Sequence, residues 1–458
     1  MAEALAFQLD PGPIVVWLEN QRWYASKSRT VTRVEIEQCV AVADSPSLLL
    51  ALIGADFATG GRELYQLPLA ILSPAQAGDR AAVTTTVAGV AVDAVADPEL
   101  VRELLRQIDG QASIDTDDGR LRFRRPARGG ELALDGAARP MGVEQSNSSV
   151  VFGSETVLKV FRRLEPGINP ELEVLRFLTG RGFANIAPLQ GWYEYEGRSF
   201  AATLGVAQRF FAEAVGGWEL ALDQIRSDPK GLLIELGSLG TVTAQLHNAL
   251  ASDPDDPAFS SQPSSPEAMA LLTQTIDADV ERTFARLTDT DERVAAIAGR
   301  GRELRDQITS AAVRDVGGRS IRTHGDYHLG QTLHGAGGHG WLIIDFEGEP
   351  ARSLDERRGK TSPLRDVAGM LRSFAYAASS VGALGDGSAF EDRARETFLE
   401  HYFSAIEPVL LPAEETAISN LLSIFELEKA VYELRYELDN RPDWLPIPVA
   451  GIARLLES

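Results

Sequence analysis

The chain has 458 residues, 44% hydrophobic and 24% charged, and its 44 basic against 66 acidic residues leave a net charge of −22. That balance opposes attraction to phosphate backbones and anionic lipid, so neither nucleic acid nor a membrane surface is expected as a partner. The length exceeds one ordinary hydrophobic core and predicts two domains or lobes. A single cysteine, Cys39, excludes an internal disulfide, residues 1–10 lack a signal-peptide pattern, and no stretch is apolar enough to span a bilayer. A cytoplasmic location is therefore expected.

In chain order, the aromatic stretch 15–24 reads as a helix, and the apolar runs 48–53 and 64–69 read as strands. Residues 73–78 look like a boundary, residues 81–95 are again Val-rich and β-like, and Asp97-Pro98 starts a helix through Ile108. A basic stretch, 120–128, then leads into Met141. The segment 144–161 reads as strand, turn at Gly153-Ser154, and strand, with Lys159 between Leu158 and Val160. That is the setting of a kinase lysine holding nucleotide phosphates. Ser146, Ser148 and Ser149 stand where protein kinases place glycines, and their backbone N–H groups suit phosphate oxygens.

Asn169-Pro170 caps the next helix, which is expected to end at Gly180. A glutamate in its first turns suits the partner of Lys159: Glu173 is the expected residue and Glu171 the alternative on another face. A strand at 199–206 and a hinge near 207–210 follow. From Gly217 on the pattern is helical, with helices expected at 232–250, 268–287, 292–312, 364–378, 389–405, 414–438 and 449–456. The piece Gly335 to Gly338 reads as a turn.

The segment 322–347, RTHGDYHLGQTLHGAGGHGWLIIDFE, carries the chemistry. Asp326 is followed, after four intervening residues, by the amide Gln331, the spacing of a kinase catalytic loop. The apolar run 341–344 then ends in Asp345-Phe346-Glu347, where a kinase has Asp-Phe-Gly. Phosphoryl transfer asks mainly for positioning and charge neutralisation, so Asp326 is expected as the catalytic base, with Gln331 and Asp345 as oxygen ligands of Mg²⁺. The β-rich first half and helical second half predict an α+β, bilobal, eukaryotic-protein-kinase-like fold: residues 1–88 a cap subdomain, 89–206 a β-rich N-lobe and 207–458 a helical C-lobe.

The blocks VEQSNSSVVFG, LKVFRRLEPGINPELE, HGDYHLGQTL, IIDFEGEP, ERRGKTSPLRDVAGMLRSFAYAA and YELRYELDNRPDWLPIPVAGI resemble the bacterial maltokinases, a branch of the aminoglycoside phosphotransferase-like kinases. QRWYASKSR, residues 21–29, is similar to the start of their N-terminal cap subdomain. The resemblance implies ATP- and Mg²⁺-dependent phosphorylation of maltose at its anomeric hydroxyl to maltose 1-phosphate, feeding glycogen and α-glucan synthesis from trehalose. It also implies trehalose synthase as a partner; the chain is expected to act as a monomer. Within the last block Tyr432, Glu433, Tyr436 and Trp444 are the expected sugar contacts, Tyr432 and Tyr436 lying one helical turn apart. His328 is a further candidate for the sugar. Arg435 and Arg441 read equally as partners of Glu437 and Asp439, His324 as a fastener of the loop, and His247 as a packing residue. Asp355, Glu356, Arg357, Arg365 and Asp366 read as a polar network bracing the segment after Asp345. Two other functions stay open on sequence alone. One is a kinase of this fold acting on glucosamine or an aminoglycoside. The other is a silent regulatory partner of trehalose synthase, against which Lys159, Asp326, Gln331 and Asp345 argue.

Overall fold

The computed structural model describes residues 9–44, 47–142, 147–288, 291–312, 317–335, 338, 340–381 and 387–457. It divides into two compact units, one of residues 1–182 and 187–212, the other of residues 183–186 and 213–458.

The first unit opens with helix α1 (Pro11–Glu19), started by the Asp10 side chain accepting from the Gly12 N–H, with Pro11 in the first turn. The helix lies on a sheet of β1 (Val31–Asp44), β2 (Ser47–Phe57), β3 (Arg62–Leu72), β4 (Ala82–Thr86) and β5 (Gly89–Asp93), ordered β1-β2-β3-β5-β4. Ile14 and Leu18 of α1 and the aromatic pair Trp23 and Tyr24 share one core with Leu49, Ala51, Ile53, Leu67 and Leu69. Strand β2 is buried along Leu48 to Ala55, which explains why its apolar run is continuous rather than alternating. The expected boundary at 73–78 is a one-turn helix closed by a capping box between Ser73 and Gln76. Helix α2 (Arg102–Asp109) follows, starting later than Asp97-Pro98 suggested.

The second sheet of this unit has β6 (Ser113–Asp115), β7 (Gly119–Arg124), β8 (Ala138–Pro140), β9 (Asn147–Phe152) and β10 (Thr156–Phe161). Beyond the two-residue β11 (Arg163–Leu164) and helix α3 (Pro170–Arg181) come β12 (Leu189–Gly197) and β13 (Ala201–Arg209), giving the order β6-β7-β12-β13-β10-β9-β8. Helix α3 ends two residues later than expected, at Gly182, whose φ of 71° is the left-handed cap that glycine adopts freely. The two sheets of the unit are joined by buried polar bonds. Gln66 of β3 donates to the carbonyls of Phe161 (3.0 Å) and Leu204 (2.7 Å), and Arg162 pairs with Asp93 at 2.7 Å.

The second unit is mainly helical: α4 (Gly217–Ser227), α5 (Pro229–Leu250), α6 (Pro266–Phe284), α7 (Gly301–Ala312), α8 (Leu364–Val381), α9 (Gly387–Ala405), α10 (Glu415–Asn440) and α11 (Pro446–Glu457). Helix α5 packs along α9, and α8 packs against both α9 and α10. A small sheet of β14 (Val215–Gly216), β15 (Thr332–His334) and β16 (Trp341–Ile343) carries the motif segment, with Thr332 opposite Ile343. The helix expected over 292–312 starts only at Gly301, because Gly299 stands at φ 77°, which interrupts a right-handed helix. The expected turn at Gly335 to Gly338 lies partly outside the described residues. No helix among the described residues is long and apolar enough to cross a membrane.

Candidate active site

In the first unit, β9 and β10 form a hairpin in which Lys159 pairs with Ser149 on one side and with Val206 of β13 on the other. The Lys159 ammonium lies 2.9 Å from a carboxylate oxygen of Glu171. Glu171 sits in the first turn of α3, where the Asn169 side chain accepts from its N–H at 2.8 Å, and it also accepts from Gln208 at 3.0 Å. This ion pair is made by Glu171, the alternative to the expected Glu173.

The expected serine loop also differs. Ser148 and Ser149 are strand residues rather than loop residues, and Ser146 lies outside the described residues. The Ser148 hydroxyl accepts from Arg162 at 2.8 Å, while Ser149 is buried.

In the second unit, residues 322–331 are clamped from below by one buried carboxylate. Asp366 of α8 accepts from the backbone N–H groups of His324 (2.7 Å) and Gly325 (2.9 Å), and it meets the His247 ring at 3.2 Å. Burial works to raise the Asp366 carboxyl, but His247, His324 and these N–H groups hold it below the usual range. His247 reaches on to Tyr402 at 2.9 Å, so it is a polar relay inside the helical packing, not merely a packing residue. His324 fastens the loop as expected, meeting the Ile344 carbonyl at 2.9 Å. Helix α8 comes close enough that a Cβ on Gly369 would stand 2.6 Å from the Tyr327 carbonyl. A side chain there would push the loop away.

Gln331 and Asp345 meet across β15 and β16: the Gln331 amide donates to Asp345 at 2.9 Å, and the Ile344 N–H donates to the Gln331 carbonyl at 3.0 Å. Asp345 holds φ at 64°, a backbone conformation uncommon outside glycine, which sets the direction of its carboxylate. An amide and a carboxylate side by side are hard oxygen donors, and they fit a Mg²⁺ ion. Of the expected bracing network, Arg357 donates to the Glu347 carbonyl (3.1 Å) and Glu356 closes a capping box with Ser353. Arg365 instead pairs with Glu428 of α10 at 2.8 Å.

A cavity of about 600 Å³ opens beside Asp326, lined by the catalytic loop, α8 and α10. Tyr432, Glu433, Tyr436, Trp444 and His328 all border it. Tyr432 and Tyr436 stack with ring centroids 6.5 Å apart, and Trp444 stacks on Tyr376 at 6.0 Å. Beneath them Glu433 pairs with Arg372 at 2.7 Å and Glu437 with Arg441 at 2.7 Å. Burial lifts the Glu433 carboxyl above its ordinary value despite Arg372. The His328 ring accepts from the Gly330 N–H at 3.0 Å, and burial lowers its pKa. Arg435 reaches Asp279 (3.3 Å), and Arg286 holds Asp439.

The sequence reading missed Lys429, Arg372 and Tyr376. Periodicity could have found them. Lys429, Tyr432, Glu433, Tyr436 and Glu437 share one face of α10, and Gly369, Arg372, Ser373 and Tyr376 share one face of α8. Lys429 reaches Asp326 at 3.4 Å and Glu349 at 2.5 Å.

Fold and site together define the class: a phosphotransferase with a hydroxyl group as acceptor. More particularly, the chain belongs to the phosphotransferase enzyme family, matched over residues 137–403, and carries a maltokinase N-terminal cap domain over residues 17–97. It is 28% identical over 340 residues to a glucosamine kinase of Mycolicibacterium smegmatis, covering 70% of this chain and 80% of the relative. It is 27% identical over 354 residues to a glucosamine kinase of Streptacidiphilus jiangxiensis, covering 71% of this chain and 76% of the relative. In structure it matches a glucosamine kinase in complex with glucosamine, ADP and inorganic phosphate with a TM-score of 0.73, at 18% identity and 99% coverage of both chains. A second crystal form of glucosamine kinase matches with a TM-score of 0.75 at 19% identity, covering 100% of this chain and 99% of the other. The maltokinase cap domain and the phosphotransferase family together support a sugar kinase.

Proposed function

We propose that this kinase transfers the γ-phosphoryl group of ATP to the anomeric hydroxyl of maltose, giving maltose 1-phosphate for α-glucan synthesis in the cytoplasm. Lys159, braced by Glu171, holds phosphate oxygens of the nucleotide, and Gln331 with Asp345 would hold Mg²⁺. Bound there, the ion neutralises charge on the phosphates. The acceptor oxygen bonds to the γ-phosphorus while the bond to the β,γ-bridging oxygen breaks and ADP leaves. Asp326 takes the hydroxyl proton. An anomeric hydroxyl is more acidic than an ordinary alcohol, which eases its proton's passage to Asp326.

The observation that carries the choice of acceptor is the charge pairing of the cavity. Each of its carboxylates meets a protein cation: Glu433 meets Arg372 (2.7 Å), Glu437 meets Arg441 (2.7 Å) and Asp326 meets Lys429 (3.4 Å). An amino sugar is selected by a carboxylate kept for its ammonium group, whereas stacked aromatic rings over balanced ion pairs suit a neutral polyol. The glucosamine kinases among the relatives favour the second reading, glucosamine as acceptor.

The test is phosphate transfer from Mg·ATP to maltose, glucose, trehalose, glucosamine and kanamycin, with product position read by phosphorus NMR. Maltose phosphorylated at its anomeric position far faster than the others supports the reading. Preference for glucosamine replaces the acceptor while keeping the residues, and no transfer to any of them overturns both.

A further inference from the structure

We infer that Lys429 is a positioning residue for phosphoryl transfer, holding the Asp326 carboxylate in place while Glu349 keeps the lysine from closing on it. The inference rests on the reading of Asp326 as the base that receives the acceptor proton.

Lys429 projects from α10 on the face that carries Tyr432, Glu433 and Tyr436, and only 13% of its side chain is exposed. Its ammonium is shared unequally: 2.5 Å to Glu349 and 3.4 Å to Asp326. Burying an ammonium is costly, and an apolar side chain would fill the same space without that cost. Packing alone therefore does not account for a lysine at this position.

The unequal sharing has a chemical sense. A lysine bonded tightly to Asp326 would occupy the lone pairs that must accept the hydroxyl proton. With no lysine, the carboxylate would turn freely at the cavity wall. Glu349 settles the balance by taking the short bond, which leaves a longer, orienting contact to Asp326. Glu349 is itself fixed, with Arg352 at 2.5 Å and Arg365 at 3.6 Å, and both arginines are tied to Glu428 at 2.8 Å. Glu428 adjoins Lys429 on α10, so a single helical turn anchors both the lysine and the arginines that hold its counter-ion. Beyond these groups, Tyr432 and Glu433 on the lysine's own face and His328 of the facing loop are titratable neighbours that feel its charge.

The experiment is steady-state kinetics of K429M, K429R, E349Q and the double variant K429M/E349Q on the full chain. Mg·ATP is the donor, maltose and glucosamine are the two acceptors, D326N is run in parallel, and ATP binding by calorimetry reports the folded fraction. We expect K429M to lose about 100-fold in kcat with both KM values within about threefold, and K429R to recover at least about tenfold of that loss. E349Q should also lower kcat, and the double variant should be no worse than K429M, because without the lysine there is nothing for Glu349 to hold back. Wild-type-like kcat in K429M, a loss confined to KM, or strictly additive losses in the double variant overturn the inference. Should K429M not bind ATP, the kcat of E349Q decides alone: unchanged, it overturns the inference. An active D326N overturns instead the reading of Asp326 as base.

Discussion

The ammonium of Lys159 lies 2.9 Å from the carboxylate of Glu171, and Gln208 donates to that same carboxylate at 3.0 Å. The lysine is thereby held by a group that is itself oriented, with 2% of the Glu171 side chain exposed. Glu171→Ala is expected to lower kcat/KM for ATP by about 10- to 100-fold, and Glu173→Ala to leave it within about threefold. Kinetics at varied ATP separates the two, and equal losses would return the role to the pair of glutamates.

Asp326 and Asp345 are expected to fail differently. Asp326→Ala should reduce turnover by about a thousandfold or more while ATP binding persists, since the proton acceptor is gone but the nucleotide contacts remain. Asp345→Ala should abolish Mg·ATP binding as well. Calorimetric titration with ATP, with and without Mg²⁺, distinguishes the two variants.

Asp366 accepts from two backbone N–H groups of the catalytic loop in a fully buried setting. Asp366→Ala leaves those donors and His247 without their acceptor, which should cost about 3–5 kcal/mol and most of the activity. Urea unfolding monitored by tryptophan fluorescence reads the stability, and a midpoint equal to wild type would contradict the clamp.

Glu349 adds a pH signature. Burial tends to raise its carboxyl, but Lys429 and Arg365 outweigh burial and bring it down to about 2. A carboxyl depressed in the folded state stabilises above its unfolded value of about 4.5, and that stability is lost as pH falls toward 2. Glu349→Gln should therefore be about 3 kcal/mol less stable than wild type at pH 7, with the gap narrowing below pH ~4.5. A gap independent of pH in chemical denaturation would remove the ion pair as its cause.

The first sheet is tied to the second sheet of the same unit through Gln66. Gln66→Leu deprives two buried carbonyls, those of Phe161 and Leu204, of their donor. A loss of about 1–3 kcal/mol in thermal or urea unfolding is expected. Removing the residues before Ser73 should yield insoluble protein, because it takes three strands from the first sheet and exposes the apolar faces left behind. A soluble, active truncation would mean that the cap is an independent module.

Local features of this protein were legible along the chain because they depend on neighbours in sequence. The spacing from Asp326 to Gln331, the apolar strand before Asp345, the Asn169-Pro170 helix start and the face shared by Tyr432 and Tyr436 each follow from short-range geometry. Tertiary structure alone decided which distant groups meet. The pairing of Glu171 with Lys159 depends on how α3 is turned toward β10, and the hydroxyl of Ser148 belongs to Arg162 across the hairpin. Lys429 and Asp326 are separated by 103 residues, and they meet because α10 packs on α8 while α8 grips the catalytic loop through Asp366. Periodicity in sequence says which residues of a helix share a face; only the packing of that helix says what the face looks at.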